Sequence, residues 1–361
     1  MKFLFLSCGA HLALDPAASR VAGGAELQVA LLARELVARG HQAVLLGADT
    51  GQPDGISWEG IRVRNGGNFE TGGVGDTLRA WPRIHRILSQ ERPDAIVIYG
   101  WTTLLYVLAW WRRIIPFRLV FVCALDAEID GDFRRKNPLR GFLFERGMRR
   151  ADTRFSITDD QATLFHEKGM ECTVTRLLIK GKAAPVLPDK SVDLLWVARC
   201  DAVKRPELFL ELARRFPNSS CRMVCSPHDR PLWNRIREQT GRLPNVEFLE
   251  SVPYQEIQRH FDEARIFVNT SSHEGVPNTF IHSGLGRAAI ASLEIDPDSM
   301  FSHFAAGAQA HGDFKGLVEK IGTLLSDQGA LNTAGEESAR YVGEWHDNAR
   351  NVRVFLEGLP R

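Results

Sequence analysis

The stretch Asn269–Asp298, NTSSHEGVPNTFIHSGLGRAAIASLEIDPD, decides how the rest of the chain is read. It opens on the tail of an apolar strand, Ile266, Phe267 and Val268, which runs into the polar loop Thr270–Glu274. Pro277 stands where a first helical turn begins, a place where its missing N–H would be unpaired anyway. Gly284 and Gly286 are expected to loosen the far end of that helix, and Ala288–Leu293 resume an apolar run. A strand, a small-residue loop and a helix start aim several backbone N–H groups, and the positive end of a helix dipole, at one spot. Such a spot seats phosphate. Glu274, Asn278, Thr279 and His282 hang around it and can read hydroxyl groups, so the pattern points to a sugar-nucleotide site.

Outward from this stretch, strand and helix alternate through both halves of the chain. In the second half, strands Val192–Ala198, Arg222–Cys225 and Val246–Leu249 precede helices Pro206–Arg215, Leu232–Thr240 and Tyr254–Ala264. In the first, strands Lys2–Cys8, Ala43–Leu46, Ala95–Tyr99 and Leu119–Ala124 alternate with helices at Ala25–Arg39, Thr77–Gln90, Thr103–Arg112 and Leu139–Arg150. A short strand at Arg154–Ile157 leads to a helix over Asp159–Lys168, with Thr158 as its N-cap. Between the halves, KGKAAPVLPDKS (180–191) is polar and proline-bearing, the composition of a linker. Strands alternating with helices predict parallel sheets flanked by helices. The expectation is an α/β chain of two Rossmann-like domains whose sheets face across a cleft, with ligands at the carboxyl ends of the strands.

Length and composition agree. A chain of 361 residues exceeds the roughly 250–300 over which one core grows. It is 44% hydrophobic and 25% charged with a net charge of +1, so overall charge selects no partner and any basic surface is local. Its six cysteines show no CxxC pair and no zinc spacing. Most lie in or beside apolar runs, where a free thiol acts as a small hydrophobe, and a reducing cytosol is the expected home. The apolar core of MKFLFLSCGAHLALD is shorter than the about 7–15 residues of a secretory leader, so it reads as a first buried strand. The run Thr102–Leu125 is broken by Arg112, Arg113, Pro116 and Arg118, and falls short of the ~20 apolar residues of a membrane span.

At NTSSHEGVPNTFIHSGLG the sequence resembles family 4 of the retaining glycosyltransferases of GT-B architecture. GGAELQVALLARELVARGH resembles that family's glycine-rich first loop and helix, and RRADTRFSITDDQATLF the segment near the end of its first domain. LLWVARCDAVKRPELFLELARRF resembles the opening of its second domain, with Arg199 and Lys204 at the positions of a basic pair. The resemblance implies an acceptor-side domain over 1–180, a donor-side domain over 181–342, and a last helix, within 343–361, that returns to the first domain. It implies that Arg199 and Lys204 hold a diphosphate and stabilise the charge that develops on it. Arginine suits a forked contact and lysine a point contact. It places Gly23 and Gly24 against the donor phosphates or the acceptor, Asp126 against the transferred sugar, and Val276, Pro277, Asn278 and Thr279 around the nucleotide sugar. Glu274 matches the first of two family glutamates and would contact the donor sugar. The second glutamate, which holds ribose hydroxyls, is His282 here. A neutral histidine offers one donor and one acceptor, so it binds a hydroxyl without chelating two.

The reaction implied is transfer of a sugar from a nucleoside diphosphate sugar to a hydroxyl acceptor with retained configuration. Departure of the diphosphate leaves an oxocarbenium-like sugar. No separate base and no metal-binding acidic loop stand out in the sequence, so no cofactor is required beyond the donor itself. Two alternatives stay open: a weakened or partner-dependent relative, which His282 supports, and a sugar-nucleotide epimerase on the same fold, which would need no acceptor. Residues 133–150, FRRKNPLRGFLFERGMRR, set seven basic side chains against the single Glu145, interleaved with Leu139, Phe142, Leu143 and Phe144. That composition suits peripheral contact with an anionic membrane at its inner, cytoplasmic face, and equally a core helix with a solvated basic face. No nucleic-acid motif accompanies it.

Overall fold

Strands that are apolar on both faces need helices on either side, and each half of the chain builds one such sheet. The structure, a computed structural model, describes residues 1–15, 23–67, 69, 74–181 and 190–360. It falls into two compact units, Met1–Leu178 with Asn348–Arg361, and Ile179–Asp347.

The first unit begins β1 (Lys2–Leu6), α1 (Gly24–Ala38), β2 (Gln42–Gly47), β3 (Ser57–Trp58) and β4 (Ile61–Asn65). It continues α2 (Val74–Glu91), β5 (Ala95–Tyr99), α3 (Leu104–Trp111) and β6 (Arg118–Val122). After β6 come α4 (Asp132–Lys136), α5 (Pro138–Arg150), β7 (Thr153–Ser156), α6 (Asp159–Glu167) and β8 (Thr173–Val174). The strand order is β3-β4-β2-β1-β5-β6-β7-β8, parallel except for the short β3–β4 pair. Thr158 caps α6 as expected, its hydroxyl accepting from the Gln161 N–H at 3.0 Å.

The second unit runs β9 (Val192–Cys200), α7 (Pro206–Arg215), β10 (Cys221–Pro227), α8 (Arg230–Thr240), β11 (Val246–Leu249), α9 (Ile257–Asp262) and β12 (Ala264–Asn269). Then follow α10 (Asn278–Leu285), β13 (Ala289–Ser292), α11 (Met300–His303), β14 (Gly307–Gln309), α12 (Phe314–Ser326) and α13 (Gln328–Trp345). Its strands are all parallel, ordered β11-β10-β9-β12-β13-β14. From β9 the chain moves outward one way to β10 and β11, then crosses to β12 and moves the other way. The order therefore reverses between β9 and β12, and between β1 and β5 in the first unit. At such switch points the loops diverge and leave a crevice at the strand ends.

Two details fix α10, the helix of the opening stretch. Lys190 donates from Nζ to the carbonyls of Ala264, Gly286 and Arg287 at 2.7, 2.9 and 2.6 Å, which caps the helix's last turn. Burial pushes that ammonium down to about 8. Gly284 and Gly286 do not loosen the helix, as the sequence suggested; they let neighbours approach. A Cβ on Gly284 would lie 2.3 Å from the Ser338 carbonyl oxygen of α13, and one on Gly286 would lie 2.6 Å from that of Phe261.

The last helix, α14 (Asn348–Glu357), begins later than the expected Gly343, because α13 runs through that glycine to Trp345. It packs on the first unit. Phe355 sits 4.9 Å from the ring of Phe155 and 6.2 Å from that of Phe3. The Thr175 hydroxyl donates to the Asn351 carbonyl at 3.2 Å, and the Asn348 amide to Glu35 at 2.7 Å. The unit boundary falls at Leu178, and most of the linker expected at 180–191 lies outside the described residues.

Candidate functional site

The carboxyl ends of β9 and β12 carry two loops that meet at the switch point of the second unit. The loop after β9 contains Lys204, and the loop after β12 contains Glu274. Lys204 Nζ and Glu274 Oε2 lie 2.8 Å apart, with the side chains only 18% and 15% exposed. The other carboxylate oxygen of Glu274 accepts from the Asn269 amide at 3.0 Å. Asn269, the last residue of β12, turns its Oδ1 to the Ser271 N–H at 3.0 Å, so one side chain sets both the loop turn and the acid. Glu274 is thus held by a strand end and a cation, with its direction fixed before any ligand arrives.

Residues that the sequence reading passed over lock the two loops together. Thr270 donates from its hydroxyl to the Lys204 carbonyl at 2.7 Å and accepts from Trp196 Nε1 at 2.9 Å. Arg205 donates to the carbonyls of Thr270 and Ser271 at 2.6 and 3.0 Å, and to Glu294 at 2.7 Å. Its own backbone is left-handed, at φ 47 and ψ 57, a conformation that costs a non-glycine residue about 1–2 kcal/mol. Three charge-assisted contacts offset that strain. Sequence gave Arg205 no special mark, since an arginine before a helix-starting proline reads as a surface charge.

Arg199 is different. It is the penultimate residue of β9, its side chain is 58% exposed, and its nearest acid is Asp201 at 3.9 Å. Two cations of distinct character therefore flank the strand end: Lys204 is held and half-buried, while Arg199 is solvent-facing. The start of α10 follows directly. Val276 is buried, Pro277 is the N-cap in extended conformation, and Asn278 and Thr279 form the first turn. Phe280 N donates to the Pro277 carbonyl at 3.0 Å. The positive end of the α10 dipole thus lies in the chain segment that carries Glu274.

His282 lies on α10 and packs into the second unit. Its ring stacks on Phe261 at 5.3 Å and meets Tyr254 edge-on at 5.9 Å. Nδ1 is 2.7 Å from Gln258 Oε1. The Gln258 NH2 donates to Asp262 Oδ1 at 2.8 Å and to the His282 carbonyl at 3.1 Å, so the amide oxygen must face the imidazole. An amide oxygen only accepts, so Nδ1 carries the proton and Nε2 keeps its lone pair. Burial pushes the ring down to about 4, and it is neutral at pH 7.

The other expected residues belong to the first unit. Gly23 is the N-cap of α1 and Gly24 its first residue. The Gly23 φ of −72 suits any residue, and what a Cβ there would meet is the carboxylate of Glu26, 2.3 Å away. Asp126 is exposed at the carboxyl end of β6 and accepts from Gln161 Nε2 at 3.0 Å. Glu128, two residues further on, turns inward and is 5% exposed. It accepts from the N–H groups of Trp101 and Ala124 at 3.1 and 2.9 Å, which staples the loops after β5 and β6. Burial raises its carboxyl to about 7. Among the described residues no three His, Cys, Asp or Glu side chains gather as a metal site.

Residues 23–178 match the family described as glycosyl transferase 4-like domain. No curated protein matches the chain in sequence. In three dimensions the chain is similar to a sucrose-phosphate synthase from Thermosynechococcus elongatus, with a TM-score of 0.80 at 15% identity, covering 99% of this chain and 98% of that one. It is similar to the Anabaena protein HepE in complex with UDP-glucose, with a TM-score of 0.74 at 16% identity and 99% coverage of both chains. A putative UDP-N-acetylglucosamine 2-epimerase from Listeria monocytogenes gives 0.65 at 13% identity, covering 98% and 94%. Two parallel-sheet α/β units in this order constitute the fold of the GT-B glycosyltransferases, and the chain has that fold.

Proposed function

We propose that the chain is a glycosyltransferase that moves a sugar from a nucleoside diphosphate sugar, of the UDP or GDP kind, to a hydroxyl acceptor with retained configuration. The observation that carries this reading is the Lys204–Glu274 pair at the β9/β12 switch point, on the chain segment that leads into α10. A cation and a helix N-terminus suit a diphosphate, and a fixed carboxylate beside them suits the hydroxyls of the sugar attached to it. The match of residues 23–178 and the likeness to a protein in complex with UDP-glucose support the same assignment.

Lys204, Arg199 and the first turn of α10 stabilise the leaving diphosphate, where negative charge grows as the glycosidic bond breaks. Glu274 orients the sugar through its hydroxyls. The leaving phosphate takes the acceptor proton. Neutral His282 accepts one hydroxyl hydrogen bond from the nucleotide through Nε2. In the first unit Gly23, Gly24 and Asp126 belong to the acceptor side. The acceptor is a glycan, a lipid-linked carrier or a small molecule, in the building of a polysaccharide, glycolipid or other glycoconjugate in the cytoplasm.

The test is turnover of sugar nucleotides by purified protein with a panel of acceptors, the anomeric configuration of the product being read by NMR. Lys204→Ala and Glu274→Ala are each expected to lose at least roughly tenfold in kcat, about 1.4 kcal/mol of barrier. Near-normal transfer by both variants would sink the assignment. Conversion of the donor to an epimer with no acceptor present would favour the epimerase reading.

A further inference from the structure

Sequence marked 133–150 as basic and apolar-striped; the structure adds α3 and the loop before it to the same surface. Gly147 of α5 packs directly on α3, where a Cβ would lie 2.6 Å from the backbone nitrogen of Tyr106. Side by side, the two helices expose rings along one face. Trp101, Trp110 and Phe142 are 37%, 40% and 39% exposed, and Leu139 and Ile114 are 67% and 65% exposed.

Arginines lie over these rings. Arg113 and Arg150 sit 4.5 and 5.3 Å above Trp110, and Arg134 and Arg146 lie 5.6 and 5.2 Å from the centre of Phe142. Arg140 is 5.8 Å from Trp101. Five such pairs fall between residues 101 and 150. Arg113, Arg146, Arg149 and Arg150 have no acidic partner among the described residues.

We propose that the α3–α5 face of the first unit docks on an anionic lipid bilayer. Guanidinium groups meet lipid phosphates, while indole and phenyl rings settle at the headgroup boundary where tryptophan is favoured. The choice of partner follows from charge and from Leu139 and Ile114. Unpaired arginines call for an anionic partner, and a nucleic acid would leave two large aliphatic side chains without a use, whereas acyl chains cover them. The proposal concerns the first unit alone and does not depend on the transferase reading.

Flotation of the full-length protein with vesicles tests it. Binding is expected to vesicles containing phosphatidylglycerol at low salt, and not to pure phosphatidylcholine. Arg113→Glu/Arg146→Glu/Arg150→Glu is expected to bind at least roughly tenfold more weakly, because each reversal removes attraction and adds repulsion. Leu139→Asp should also weaken binding, though it adds only one charge, and both variants should keep the wild-type circular dichroism melt. Absence of binding to anionic vesicles, or unchanged binding by Leu139→Asp, would overturn the proposal. So would tighter binding of an oligonucleotide than of the vesicles. Sugar-nucleotide titration of the same preparation reads the second unit separately, so failure of one assignment is distinguishable from failure of the other.

Discussion

His282 shows how a single residue differs from what its position suggests. In sequence it stands in for a carboxylate; in the structure its protonation state is dictated by a neighbour that no local pattern reveals, Gln258. We expect nitrogen-15 NMR to find the Nδ1–H tautomer, untitrated above pH 5. A ring that titrates near 6.5, or carries its proton on Nε2, would refute the network. The burial that lowers its pKa from 6.5 to about 4 also sets a sign. Between those values the unfolded chain binds the extra proton, so the stability due to this burial is full above pH 6.5 and is lost as pH falls through the window. His282→Leu should flatten that acid limb in denaturant titrations. His282→Glu would bring a carboxylate toward the Gln258 carbonyl oxygen, so restoring an acid here also requires this amide to turn.

At the scale of elements, two loops after β9 and β12 make the candidate site, and their brace is Arg205. Arg205→Ala removes three hydrogen bonds and keeps the backbone strain, at an expected cost of about 1–3 kcal/mol. Arg205→Gly loses the same bonds but relieves the left-handed strain of about 1–2 kcal/mol, so it should melt higher than Arg205→Ala. Equal melting of both variants with wild type would show that the brace carries no load. In the first unit Glu128 plays the corresponding part between the loops after β5 and β6. Glu128→Gln turns an NH2 toward a backbone N–H and should destabilise by about 1–3 kcal/mol in urea titration. The main strands and helices up to β13 were legible from periodicity, because apolar runs and caps are local, whereas β3, β4, β14, α12 and α13 were not read. The Lys204–Glu274 contact was legible only as two separate candidates. Arg205, Thr270 and Glu128 were hidden, because what they do depends on which loops the strand order brings side by side.

At the scale of the molecule, the chain builds two parallel sheets with a switch point in each and sends its last helix back to the first unit. That return came from resemblance rather than from composition, and the packing of Phe355 gives its physical reason: the ring is 1% exposed against Phe3 and Phe155. Phe355→Ala should cost about 3–5 kcal/mol, read as a lower melting transition of the first unit with that of the second unchanged. The central claim is that the second unit seats a nucleoside diphosphate sugar through Lys204 and Glu274. Calorimetric titration of the wild-type protein and Lys204→Ala with a panel of UDP and GDP sugars tests it most directly. The account predicts saturable binding of at least one donor, weakened at least about tenfold by the substitution, which is 1.4 kcal/mol of binding free energy. Binding of no donor, or equal affinity in the two proteins, would contradict it.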